Sequence, residues 1–125
     1  VRLLLDTHTL LWWLTADPTL STDARNAIGD SENLVVVSAA TAWELSIKTA
    51  RGKLRTPDDL VEQLDANAFI PLPITIEDGL AAGSLPRHHD DPFDRMLIAQ
   101  AITGGWTVVT KDSRFAAYGI DILPA

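Results

Sequence analysis

Residues 34–38, LVVVS, form an unbroken apolar run rich in β-branched side chains. A strand with one face in water alternates apolar and polar residues. This run does not alternate, so it reads as a strand buried on both faces, the kind found in parallel sheets covered by helices. The rest of the chain supplies suitable neighbours. Leu3–Leu5 is a short apolar run closed by Asp6, and WTVVT at 106–110 is a further strand. FIPLPI at 69–74 is an extended segment whose prolines suit a sheet edge or a strand end, and IDIL at 120–123 is a last short strand. Between them, THTLLWWL after Asp6 has helical spacing, and Ser21 or Thr22 opens a helix to about Asp30. A helix over 39–51 stops at Gly52, and Thr56-Pro57 opens another over 57–67 with Asp58 and Asp59 in its first turn. Residues 76–85 and 92–103 are helical, the latter ending at Gly104-Gly105, and 111–118 is a short turn or helix. Strands alternating with helices along the whole chain call for an α/β fold with a parallel sheet covered on both faces. At 125 residues, one domain spanning 1–125 with a sizeable core is expected.

Composition narrows the function classes. The chain has no cysteine, which removes disulfides, thiolate nucleophiles and cysteine-rich zinc sites. His8, His88 and His89 are too few and too badly spaced for a structural zinc finger. No apolar run approaches the ~18 residues of a membrane span. The N-terminal stretch is broken by Asp6, Thr7 and His8, unlike a signal peptide. A cytoplasmic protein without a membrane partner is therefore expected. The net charge of −7 argues against nucleic acid if taken as a total, because phosphate binding is driven by Lys and Arg. The basic residues are clustered, however: Lys48, Arg51, Lys53 and Arg55 fall within eight positions. That strip is either a phosphate-binding rim or a solvated helix face. Divalent cations can also reverse the sign of an acidic pocket.

The acids are placed where such a pocket forms. In open α/β sheets, ligands bind outside the carboxyl ends of the strands. Asp6 follows the first strand directly, Asp112 follows WTVVT by two residues, and Asp94 lies in the first turn of the 92–103 helix. Glu44 lies about one and a half turns into the helix entered from LVVVS, among Ala42, Trp43, Leu45 and Ile47, which leave little solvated face for an acid. Each has a simpler explanation when taken alone. Asp6 can cap a helix, Asp112 can belong to a turn, and Glu44 stands four residues before Lys48, a favourable helical ion pair. Asp91 before Pro92 reads as an N-cap, and Asp94, three positions on, can reach back to the free amide in a capping box. Jointly these explanations strain, since four like charges converging on one pocket repel unless cations occupy it. Carboxylates without His or Cys select hard cations, Mg²⁺ or Mn²⁺. Ions so held activate water and stabilise the charge that builds in phosphodiester hydrolysis.

With these acids in place, the chain resembles PIN domains, specifically the VapC-type toxin ribonucleases of bacterial toxin–antitoxin pairs. LLLDTHTLLWWL, VVVSAATAWELSIKTARGKL, HHDDPFDRMLIAQA and VVTKDSRFAAYGI follow the family's order at compatible spacing, essentially end to end. No short motif among them is specific; the ordered set is. The resemblance implies a three-layer α/β/α sandwich around a short, mainly parallel sheet, and a metal-dependent endoribonuclease acting on RNA. It implies that Asp6, Glu44, Asp94 and Asp112 form the metal site, with Asp6 and Asp94 the most direct ligands and Glu44 at the metal itself or through water. Thr110 takes the place of a hydroxyl that orients the site, and Arg95 follows the acid as in close relatives, a candidate RNA contact beside Lys48, Arg51, Lys53 and Arg55. Family members pair with a small antitoxin and dimerise; here Trp12, Trp13 and the 57–67 helix are candidates for an apolar partner groove. Asp90 departs from the pattern, since relatives often carry a basic residue there.

Other α/β proteins fit less well. A haloacid dehalogenase phosphatase needs a second Asp two residues after the first, where this chain has His8. A response-regulator receiver domain needs an acceptor Asp after a central strand, and FIPLPI offers none. The non-enzymatic alternative is a PIN-like module that only binds RNA or protein.

Overall fold

The structure, a computed structural model, describes residues 1–125. Five strands form one parallel sheet in the order β3-β2-β1-β4-β5: β1 (Arg2–Leu5), β2 (Leu34–Ser38), β3 (Ile70–Leu72), β4 (Thr107–Thr110) and β5 (Ile122–Pro124). Central β1 pairs with β2 through Leu4↔Val36 and with β4 through Leu4↔Val108. The helices are α1 (Thr7–Leu14), α2 (Thr22–Gly29), α3 (Ala39–Ala50), α4 (Leu60–Ala66), α5 (Ile76–Ser84) and α6 (Pro92–Gly104). A 3₁₀ turn follows at Ser113–Tyr118.

The two-residue period of the strands sorts the core into two layers. Leu3, Leu5, Val35, Val37 and Val109 face Leu10 and Leu11 of α1, Ala24 and Ile28 of α2, and Leu60 and Leu64 of α4. Their neighbours Leu4, Val36 and Val108 face Leu97, Ile98 and Ala101 of α6, with Trp106 and Phe115. This division makes the expected α/β/α sandwich, and it explains why LVVVS does not alternate: both faces of β2 are buried. α3 contributes Leu45 to the first layer and Ala40 to the second, so it spans the end of the sheet rather than one face.

Two local readings change. The helix expected over 57–67 is shorter, Leu60–Ala66, and its N-cap Asp59 makes no capping hydrogen bond. None of its residues is buried, so little tertiary packing extends it. At α6, Asp91 caps Phe93 and Asp94 as expected. The reciprocal capping-box bond from Asp94 does not form; the Asp91 amide donates to Nδ1 of His89 instead.

The strand order sets the position of the site. From β1 the chain builds outward through β2 to β3, then returns to the other side of β1 with β4. The crevice between the carboxyl ends of β1 and β4 is the topological switch point, where open α/β sheets bind ligands.

Candidate active site

Asp6 stands at the end of β1 and caps α1, with Oδ1 accepting from the Thr9 amide at 2.9 Å. Its other oxygen accepts from the Thr110 hydroxyl at the end of β4, at 2.5 Å. One carboxylate thus serves as a helix cap and faces the switch point at once. Burial pushes the Asp6 carboxyl up, against the opposing pull of the Thr110 and Thr9 hydrogen bonds.

Glu44 arrives from α3 and is buried. Its Oε1 accepts from Thr7 Oγ1 at 2.5 Å, and its Oε2 pairs with Lys48 one turn later. The helical ion pair and the buried site are therefore both present. The hydrogen bond from Lys48 to Glu44 raises the lysine above its ordinary value, and the charges of Glu44, Asp91 and Asp94 add to the effect.

Asp94 holds the centre. Its carboxyl is pushed up to about 7, first by burial and then by the charges of Asp91, Glu44, Asp6 and Asp112. Its Oδ2 lies 3.0 Å from Nε2 of His89, while Oδ1 has no protein partner. Asp112 is its opposite. Arg114 grips it with a backbone amide and two guanidinium nitrogens at 2.8–3.0 Å, and His89 Nε2 adds a contact at 2.9 Å. Led by the Arg114 side-chain hydrogen bond, these contacts bring the Asp112 carboxyl down to about 2. Four donors nearly saturate a carboxylate.

The charges of Asp6, Glu44 and Asp112 all act on Asp94, so the four acids are neighbours, and Thr110 is bonded to Asp6. The remaining assignments divide. Lys48 belongs to the acidic site through Glu44, whereas Arg51, Lys53 and Arg55 are exposed beyond the end of α3. Arg95 does not offer a free guanidinium to RNA. Its Nη atoms donate to the carbonyls of Ala82, Leu85, Pro86 and His89, tying the end of α5 to the loop before α6. Helix C-termini leave such carbonyls unpaired, and a fixed guanidinium fork satisfies several at once.

Thr7, His89 and Arg114 also belong to the site, although the sequence did not single them out. Thr7 carried no signal, because its partner Glu44 is 37 positions away. His89 had a weak one, as a histidine just before a helix already marked by acids. The imidazole and the Asp94 and Asp112 carboxylates place their ligand atoms within 4.8 Å of one another.

The donor set fits a hard divalent cation. Carboxylate oxygens dominate it, the unpartnered Asp94 Oδ1 is available, and a bound cation offsets both the burial and the neighbouring charges that raise Asp94.

Comparison with known proteins places the chain in a family. The PIN domain family profile matches residues 3–121. Ribonuclease VapC22 of Mycobacterium tuberculosis is 33% identical over 119 residues, covering 92% of this chain and 90% of the relative. VapBC2 from Rickettsia felis, crystallised with a promoter DNA fragment, superposes with a TM-score of 0.68 at 13% identity, covering 98% of each chain. A toxin–antitoxin complex from Klebsiella pneumoniae gives 0.64 at 15% identity, covering 97% of this chain and 95% of the other. The structural likenesses establish the fold; the family match and the 33% identity, both spanning nearly the whole chain, establish that this protein belongs to the PIN domain family.

Proposed function

We propose that the protein is an endoribonuclease that hydrolyses RNA phosphodiester bonds with Mg²⁺ or Mn²⁺, and that it is the toxin of a VapBC-type toxin–antitoxin pair. The observation that carries this reading is the convergence of Asp6, Glu44, Asp94 and Asp112 on the switch point, where burial and like charge hold Asp94 near neutral pH. The curated relative's name, Ribonuclease VapC22, supports the substrate class. When bound, a divalent cation supplies Lewis acidity at a phosphate oxygen and a more acidic water.

The protein's own groups set the stage for that chemistry. Asp6 and Asp94 hold the cation, Asp6 being kept in place by Thr110 and Thr9. Glu44 adds negative charge, and its orientation comes from Thr7 and Lys48. Asp112 contributes charge while fully engaged by Arg114 and His89. RNA reaches the acids past the exposed Arg51, Lys53 and Arg55.

The proposed partners have candidate surfaces. Trp12 and Trp13 are half-buried, and Trp13 reaches α4 through a hydrogen bond to Asn67, which gives a small antitoxin an aromatic ledge between α1 and α4. A second copy has the groove lined by Trp43, Ile74, Phe93 and Met96, with Ile76 and Leu80 exposed nearby on α5. No helix is long and apolar enough to cross a membrane; the proposed site of action is the cytoplasm.

Purified protein incubated with RNA, with and without Mg²⁺ or Mn²⁺, tests the reading. Cleavage is expected only with metal, and Asp6→Asn or Asp94→Asn should abolish it while the circular dichroism spectrum persists. Cleavage that survives chelation, or full activity of either variant at saturating metal, rejects the assignment.

A further inference from the structure

His89 is 2% exposed, yet every polar group it carries is engaged. Its backbone amide donates to Tyr118 Oη at 2.9 Å, and its carbonyl accepts from Arg95 at 3.1 Å. The ring stands edge-on to Phe115, with centroids 5.8 Å apart. Nε2 is hydrogen-bonded to Asp112 Oδ2 at 2.9 Å and stands 3.0 Å from Asp94 Oδ2, a charge contact without hydrogen-bond alignment.

A histidine beside two aspartates suggests a third metal ligand. The far side of the ring argues otherwise. A ligating histidine usually donates its other N–H to an acceptor, which fixes the tautomer that leaves the metal-facing nitrogen bare. Here the group facing Nδ1 is itself a donor, the Asp91 amide, at 3.2 Å. Nδ1 must therefore present its lone pair, and the ring proton sits on Nε2. A protonated Nε2 donates to the Asp112 carboxylate and has no lone pair for a cation.

We propose that His89 is a positioning residue that acts as a brace: its Nε2 proton is held by Asp112, and the ring so fixed stands against Asp94 Oδ2, leaving Oδ1 as the free oxygen of that carboxylate. The arrangement also explains the missing capping box. A capping box would bind the Asp94 carboxylate to the N-cap amide. His89 Nδ1 accepts from that amide instead, which frees Asp94 for the site. Asp112, anchored by Arg114, is the fixed end of the brace. The metal role of Asp94 rests on the function proposed above; the tautomer of His89 does not.

Two substitutions separate the ring's two contacts. His89→Gln reaches the Nε2 position with an N–H donor, while His89→Asn offers an acceptor at the Nδ1 position but is too short to reach the carboxylates. Mn²⁺ binding to the metal-free proteins is measured by calorimetry. We expect His89→Ala and His89→Asn to weaken it about 10–100-fold, the usual cost of losing such a partner. His89→Gln should bind within a few-fold of the native protein. Restoration by Asn but not Gln overturns the proposal in favour of a simple loop cap, and restoration by neither overturns it in favour of direct ligation. Imidazole ¹⁵N spectra of the native protein give an answer that needs no variant to fold. Protonated Nε2 and bare Nδ1, both before and after Mg²⁺, support the brace; protonated Nδ1, or an Nε2 that loses its proton on adding Mg²⁺, overturns it. A native protein that cleaves no RNA but keeps this tautomer counts against the proposed activity, not against the brace.

Discussion

At the scale of single residues, the site is defined by opposite fates of two aspartates a few ångströms apart. Asp112 is held low by Arg114, whereas Asp94 is held at about 7 by burial and four neighbouring acids. In the metal-free protein Asp94 binds a proton more tightly when folded than when unfolded. Its contribution to stability is therefore greatest below its unfolded value near 3.8 and is lost as pH rises toward 7. A tenfold tighter hold on the proton is worth about 1.4 kcal/mol, so the loss is on the order of a few kcal/mol. Asp94→Asn removes the titrating group. We expect its melting temperature, relative to the native protein in chelator, to climb between pH 4 and 7 and then level off; a difference independent of pH rejects the strained carboxyl. Asp6, Asp94 and Asp112 were legible in the sequence because each follows a strand or starts a helix, and Glu44 because its helical neighbours are apolar. Their capping roles obscured them, because Asp6 and Asp112 do cap, each with one of two oxygens. Thr7 was not legible because its partner lies 37 positions away, a distance that no local pattern encodes; His89 had only the weak signal of its place before α6, since its Asp112 partner lies 23 positions on.

At the scale of elements, the strands and helices were read from periodicity, and the readings that failed depended on contacts across the fold. LVVVS announced a strand buried on both faces, and it is one. The 57–67 helix starts only at Leu60, where Asp59 makes no capping bond and no residue of the helix is fully buried, and the Asp91–Asp94 capping box yielded to a side chain from the preceding loop. The end of α6 shows a constraint of the same kind. Gly105 takes the left-handed conformation at the C-cap, which the Gly104-Gly105 pair had suggested. Gly104 is required for a different reason: a Cβ there would stand 2.3 Å from Trp106 Nε1. That indole is buried, with the Arg2 guanidinium 4.1 Å from its ring centroid, so it has little room to retreat. Gly104→Ala should destabilise the fold by about 1–3 kcal/mol, the usual cost of overpacking. Gly29→Ala, at the end of α2, meets only Trp13 at an ordinary 3.5 Å and should be neutral or stabilising by up to ~1 kcal/mol. Urea denaturation of both variants checks the contrast, and equal effects would mean that Trp106 moves aside freely.

At the scale of the whole molecule, the net charge of −7 conceals a division. Asp6, Glu44, Asp94 and Asp112 neighbour one another in the candidate site, while Arg51, Lys53 and Arg55 stand exposed past α3 with no ion-pair partner. Removing two of these, as in Arg51→Ser with Lys53→Ser, should weaken RNA binding and flatten its salt dependence by nearly two in the log–log slope. An unchanged slope makes the strip a solvated surface. The acidic end carries the larger consequence. A cation that binds only the folded state stabilises it by mass action, ~2.7 kcal/mol at a hundredfold excess over its dissociation constant. Metal should therefore raise the melting temperature, and Glu44→Gln should reduce the gain, because Glu44 is one of the charges acting on Asp94. The same substitution strips Lys48 of its partner and leaves that ammonium nearer to Asp94 in electrostatic effect, which favours the ionised carboxyl without metal. Both consequences run in one direction: the empty pocket is less strained and the cation has less repulsion to relieve. Thermal melts of the two proteins across Mg²⁺ and Mn²⁺ concentrations measure the difference. Equal metal-induced shifts would show that Glu44 serves only Lys48 and Thr7, and would leave the cation to Asp6 and Asp94 with Asp112 as the remaining charge.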